Sequence, residues 1–228
     1  MLVDPELLDL EQVAEDLTRV LARDARLFTA APDAGARLGW VLSDARAGDH
    51  LERIRPLVAG IRADEITDVV LTGMGGSSLF PEVLARTFGP APGSPRLRVI
   101  DSTDPAAVLR AERELPWPST LVVAASKSGG TVETLAHLAR FRARLDDVHG
   151  DAAAGRVVAV TDPGSPLAVR GRDEGFRAVV LGDPDVGGRF SALSPFGLLP
   201  ASLLGVDVEG FVGAAADLRA MTVADPSD

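Results

Sequence analysis

Between Ala124 and Thr134 the chain reads AASKSGGTVET, a turn of serine, threonine, glycine and one lysine. It lies between an apolar run, Leu121 to Ala125, and a segment with helical spacing from Thr131 to Leu145. Hydroxyls and main-chain amides that leave a buried strand at such a turn converge on one anion, with the positive end of the next helix's dipole behind them. The chemistry is that of a phosphate cradle, and a solvated loop is the plain alternative. Lys127 is the only lysine among 23 basic residues, unpaired as far as its neighbours in sequence go. A compact ammonium is favoured where a wide planar guanidinium does not fit.

A second turn of similar composition is GMGGSS, Gly73 to Ser78. It reads as an ordinary strand-to-helix turn if its glycines serve only positive φ and close packing. It reads as a dinucleotide fingerprint if Asp101, ending the next apolar run, takes a ribose; Ser78 stands where that fingerprint needs its third glycine, so this match is incomplete. It also reads as a second wall of the same anion site. The third cluster is VGGRFSALSPFGLLP, Val186 to Pro200, in which Arg189 follows a glycine pair. A permanently charged guanidinium offers paired donors to two neighbouring oxygens, and the glycines leave room for a ligand. The alternative for Arg189 is a structural ion pair with a nearby acid such as Asp185. The three histidines, His50, His137 and His149, read as surface residues.

These turns need a scaffold that presents them together. From Asp68 onward, short apolar runs alternate with helix-like segments: Val69 to Thr72, Leu97 to Ile100, Leu121 to Ala125, Val157 to Val160 and Ala178 to Leu181. The intervening helices are expected over Leu79 to Phe88, Pro105 to Glu114, Val132 to Leu145 and Pro166 to Glu174, with Pro105 suited to a first helical position. Strands without polar alternation, separated by helices, imply an α/β fold: a doubly wound parallel sheet of about five strands covered on both faces. Ligands of such sheets sit beyond the carboxyl ends of the strands, where these polar turns fall.

Before the sheet, residues 6 to 29 carry apolar positions at helical spacing after an Asp4-Pro5 start signal. A second helical pattern, Leu51 to Ile61, follows a loop containing Gly35, Gly39 and Gly48. After the sheet comes the stretch Asp183 to Asp207, to which no element is assigned, then a short helical pattern from Val208 to Ala220. The expected division is a helical amino-terminal segment (1–63), an α/β domain (64–185), and a signature loop with the start of a further domain (186–228).

With 228 residues, 46% of them hydrophobic and 25% charged, the chain can bury a sizeable core. Its formal charge of −10 and lack of basic blocks argue against nucleic acid, so an anion must be held by local geometry. There is no cysteine, hence no disulfide or thiolate metal site. Apolar runs are strand length, far short of a membrane span, and the amino terminus lacks the pattern of a secretory leader. A cytoplasmic protein without metal or cofactor is expected.

The three clusters in their order resemble those of the phosphoglucose isomerases. VGGRFSALSPFGLLP resembles that family's signature, TGMGGSSL its first sugar-isomerase loop and SKSGGTVET its phosphate loop, and the resemblance runs from about Arg37 to Asp217. It implies that Ser77, Ser126, Lys127, Ser128 and Thr131 bind a sugar phosphate, that Gly76 lets the backbone come close, and that Arg189 lies by the reacting carbons. Gly129-Gly130 departs from the bulkier residues of many relatives. The resemblance also implies conversion of glucose 6-phosphate to fructose 6-phosphate and a homodimer. Family members are about twice as long, and their second sugar-isomerase domain holds the glutamate base, a ring-opening histidine and a late lysine. This chain is therefore expected to be an amino-terminal half, inactive alone and lacking the carboxyl-terminal domain; the other reading is a non-catalytic sugar-phosphate-binding module or sensor.

Overall fold

The computed structural model describes residues 9–29 and 35–224. Five strands form one parallel sheet: β1 (Asp68–Gly73), β2 (Arg96–Ile100), β3 (Thr120–Ala125), β4 (Val157–Thr161) and β5 (Ala178–Leu181), in the order β2-β1-β3-β4-β5. All five runs read from the sequence are strands, to within a residue at each end. Side-chain parity divides the core. Val69, Leu71, Leu121, Val123, Val158 and Val160 face one side, whereas Val70, Val122, Ala124, Val157 and Ala159 face the other. Strands with both faces buried need apolar residues at every position, so periodicity of two is lost from the sequence.

The connecting helices are α3 (Leu79–Thr87), α4 (Pro105–Glu114), α5 (Val132–His149) and α6 (Pro166–Asp173), as expected. Pro105 occupies the first turn of α4 with the Asp104 side chain accepting from Ala106 N, and Ser165 caps α6 by accepting from Ala168 N. Helices α4, α5 and α6 cover the second face, where Leu138, Phe141, Leu145 and Leu167 are fully buried. Each such side chain contributes about 1.5–3 kcal/mol relative to exposure.

The first face is covered by α2 (Ser43–Ala63), α3, and two helices after the sheet, α7 (Pro195–Leu204) and α8 (Val208–Ala224). One core therefore joins helices from before and after the sheet. The helix α7 lies within the Asp183–Asp207 stretch, to which the sequence assigned no element; Pro195 starts it, Pro200 sits inside it, and nine of its ten residues are buried. An all-round apolar segment punctuated by Pro and Gly carries no amphipathic signal, which is why the sequence hides it.

Two further expectations change. The first helix, α1, covers Leu10–Leu21 and stops there: Arg23 adopts φ 58° and Asp24 caps a 3₁₀ turn at Ala25–Phe28. The expected Asp4-Pro5 start and Leu7 lie outside the described residues. Gly48 lies inside α2, not in the loop before it. No helix among the described residues is long and apolar enough to cross a membrane.

The chain passes from β1 outward to β2, then returns beyond β1 to β3. With right-handed crossovers, that reversal puts α3 on one face and α4 on the other and opens a crevice between the ends of β1 and β3. Gly73 pairs with Ala125 at that point. The two polar turns leave the sheet side by side.

Candidate active site

The first wall is the 3₁₀ turn Gly75–Ser77, entered from β1 through Gly75 at φ +57°. Ser77 is buried, and its carbonyl lies 3.2 Å from where a β-carbon on Gly73 would sit. Gly76 meets the signature segment: a β-carbon there would collide with the carbonyl of Gly188 and come within 3.0 Å of Arg189 N. Ser191 Oγ donates to Gly188 O at 2.7 Å and approaches Gly76 O at 3.4 Å, fastening the two turns. The arginine turn, Gly188–Leu193, approaches the Gly76 backbone closely.

The second wall is Ser126–Thr131. Ser126 N donates to Val160 O at 3.0 Å, pinning the turn to β4. Ser126 Oγ accepts from Gly129 N at 3.1 Å and shares a 2.8 Å hydrogen bond with Thr131 Oγ1. A hydroxyl has one proton to give, so when Ser126 donates to Thr131 the Thr131 proton is left for an anion. Thr131 is the N-cap residue of α5, yet its hydroxyl does not cap the helix. The first amides of this 18-residue helix are therefore donors without side-chain caps, at the positive end of its dipole. Ser128 is exposed and accepts from Gly130 N at 3.3 Å.

The Gly129-Gly130 pair has a definite shape. Gly129 has φ +68°, and a β-carbon would press on Leu167 N and the Ser165 side chain at 2.8 Å, while Gly130 faces open space. Only the first of the pair requires glycine.

Lys127 is not unpaired. Its Nζ donates to Asp162 Oδ1 at 2.8 Å and to Asp183 O at 2.6 Å, with the Lys127 and Asp162 side chains each less than a fifth exposed. The ammonium stands behind the cradle, bridging the segments that follow β4 and β5. These partners lie 35 and 56 residues downstream, beyond any local pattern.

Arg189 is exposed beside the first wall, and Phe190 stacks on Trp40 at 5.1 Å. The expected alternative partner, Asp185, is occupied: Arg46 holds it through two bonds, 2.7 and 2.9 Å, and Arg23 Nη2 lies at 2.8 Å. Asp183 accepts from His50 Nε2 at 2.9 Å. That bond, against the cost of burial, holds the Asp183 carboxyl below the usual range, and the Arg46 bonds do the same for Asp185. Arg37 also binds Pro184 O, and Gly39 N donates to Asp185 O at 2.8 Å. The helical segment before the sheet thus clamps residues 183–186, immediately before the arginine turn. His50 and His137 are buried, contrary to their reading as surface residues. Sequence reasoning missed the clamp because its donors and acceptors are more than 130 residues apart.

Residues 42–219 match the family model described as phosphoglucose isomerase. The glucose-6-phosphate isomerase of Rubrobacter xylanophilus is 36% identical over 200 residues, covering 81% of this chain and 46% of that one. That of Thermus thermophilus is 37% identical, covering 82% and 44%. The chain spans about half the length of the curated relatives it matches. Among solved structures, a hypothetical protein from Thermus thermophilus superposes with a TM-score of 0.77 at 34% identity, covering 93% of this chain and 49% of that one. A glucose-6-phosphate isomerase from Chlamydia trachomatis gives 0.72 at 26% identity, covering 96% and 47%.

Proposed function

The chain belongs to the phosphoglucose isomerase family, and we propose on that premise that it is the phosphate-binding, arginine-bearing half of an enzyme interconverting glucose 6-phosphate and fructose 6-phosphate. The observation that carries this reading is the packing of Gly188 and Arg189 on Gly76, beside the Ser126–Thr131 turn. In this reading the Arg189 cation stands next to an anion cradle on one sheet rim.

In this reading Ser77, Ser126, Ser128, Thr131 and the first amides of α5 hold the phosphate. Lys127 contributes from behind, through the pairing that fixes its turn. With the phosphate anchored, the far end of the open-chain sugar reaches the Arg189 turn. Moving a proton between adjacent carbons generates an enediolate, and a guanidinium with paired donors stabilises charge on its two oxygens. The transfer also requires a positioned base. Asp162, Asp183 and Asp185 are each engaged by a cation or imidazole, and the resemblance to the family assigns the base to a carboxyl-terminal half. The active protein is then a cytoplasmic enzyme, a homodimer of the longer chain, without a cofactor.

Calorimetry of this chain with glucose 6-phosphate and with glucose tests the reading. Binding of the phosphate ester alone, weakened about tenfold or more by Ser126→Ala with Thr131→Val, is expected. Equal binding of the neutral sugar, or indifference to those changes, overturns it. Isomerase assays of this chain and of a version extended with a carboxyl-terminal half separate the enzyme from a binding module: only the extended form is expected to turn over.

A further inference from the structure

Three of the strands that build the rim end in segments with different tasks: β3 in the phosphate turn, β4 in Asp162, and β5 in the segment leading to Arg189. A single side chain touches all three. Lys127 belongs to the first, donates to the Asp162 carboxylate of the second at 2.8 Å, and donates to the Asp183 carbonyl of the third at 2.6 Å. Its own carbonyl accepts from Asp162 N at 3.1 Å, so the lysine and Asp162 are tied by both main chain and side chain.

The Asp183 carbonyl is also the acceptor for Val186 N at 3.1 Å, the bond that closes the turn into Gly187, Gly188 and Arg189. The ammonium therefore sits on the first turn of the arginine segment. On its other side the Asp183 carboxylate is held by His50, and Arg46 takes Asp185 two residues later. The pair formed by Lys127 and Asp162 is formally neutral and mostly buried, with side-chain exposures of 18% and 17%. Its attraction is screened less than that of a surface pair, and the loss of one partner strands the other.

We propose that Lys127 is a positioning residue that couples the phosphate turn to the Arg189 turn, so that anchoring of the phosphate and placement of the guanidinium are one cooperative event. This deepens the sugar-phosphate reading and rests on it. A compact ammonium can aim two protons at acceptors from different strands within this enclosed space; a planar guanidinium has its donors in a fixed fork. That accounts for the single lysine in a chain otherwise served by arginine.

Coupling has a signature that separate local roles lack. Two probes are titrated into the chain by calorimetry: inorganic phosphate, which needs only the cradle, and arabinonate 5-phosphate, whose carboxylate carries charge where the enediolate oxygens would lie. In the wild-type background Arg189→Ala is expected to weaken the aldonate about tenfold or more and inorganic phosphate less than about twofold. In a Lys127→Met background the same Arg189 change is expected to cost only about twofold, because the guanidinium is no longer placed. Asp162→Asn, which keeps an acceptor and the packing but removes the charge, is expected to reduce the Arg189 effect in the same direction and serves if Lys127→Met does not fold.

Additive effects of Lys127→Met, or of Asp162→Asn, with Arg189→Ala overturn the coupling while leaving the sugar-phosphate reading intact. A wild-type chain that binds neither probe overturns both. Full rescue of the Arg189 effect by Lys127→Arg also overturns it, since charge alone would then suffice.

Discussion

The carbonyl of Gly188 occupies the space that a β-carbon on Gly76 would need. Two turns 112 residues apart in sequence are thereby packed backbone to backbone, and Ser191 Oγ, which donates to Gly188 O within its own turn at 2.7 Å, lies 3.4 Å from Gly76 O across the junction. The arginine turn is seated on the end of β1 with no side chain between.

Gly76→Ala is accordingly expected to destabilise the fold by about 1–3 kcal/mol, because the obstructing atoms are backbone and cannot rotate aside. Gly130→Ala, which meets nothing within 4 Å, is the matched control and is expected to be nearly neutral. Denaturant midpoints at constant m-value measure both. A Gly76→Ala protein as stable as Gly130→Ala would show that the two turns are free to separate.

The sheet was legible in the sequence because burial on both faces writes strands as uninterrupted apolar runs, and because Pro105 marks a helix start. The polar turns were legible because their residues act locally, from one strand end. The pairings that support them were not: Lys127 with Asp162, His50 with Asp183 and Arg46 with Asp185 join groups far apart in the chain. Nothing in the spacing around Lys127 distinguishes an ammonium offered to a ligand from one spent on a neighbouring strand. The buried histidines escaped for a similar reason, since His137 lies on the sheet-facing side of α5 with Leu138 and Phe141.

Burial holds the His137 imidazole below its ordinary value near 6.5, against the raising influence of the Ser102 backbone and Glu133. A depressed histidine means that the unfolded chain binds the extra proton first. Stability is then full above about pH 6.5 and falls as pH drops from there through the folded value. His137→Phe is expected to remove this part of the pH dependence whatever it does to stability at pH 8. Unfolding free energies measured between pH 8 and pH 5 decide it; parallel curves for wild type and variant exclude His137 as the source.

A separate, more acidic window belongs to Asp183. Its carboxyl lies below the ordinary 3.8 because His50 donates to it, with Arg46 nearby. The associated stability is present above that ordinary value and is lost as pH falls through the folded one. His50→Leu, which cannot donate to the Asp183 carboxylate, should make the acid limb shallower below about pH 4 and leave the His137 window unchanged. Acid unfolding followed by circular dichroism separates the two, and an unchanged acid limb would place its origin elsewhere.

Arg189 differs from the other arginines of this region in its surroundings. Arg46 and Arg23 are committed to Asp185 and Arg37 to Pro184 O, whereas none of the ion pairs among the described residues includes Arg189. Its backbone is fixed by Gly76, and its neighbour Phe190 by the stack on Trp40. A cation whose backbone is held and whose donors are uncommitted can meet negative charge as it develops on a substrate, and removing such a donor typically lowers turnover about a hundredfold or more. In a chain extended with a carboxyl-terminal half, Arg189→Ala is therefore expected to lower kcat by about that factor with little change in KM, the pattern of an interaction made mainly in the transition state. Arg189→Lys keeps the charge but not the paired donors and is expected to recover only part of the loss. Steady-state kinetics with fructose 6-phosphate, on variants whose unfolding midpoints match the wild type, provide the measurement. A raised KM with unchanged kcat would move Arg189 from the reacting carbons to ground-state binding, and near-normal values of both would leave it a scaffold residue.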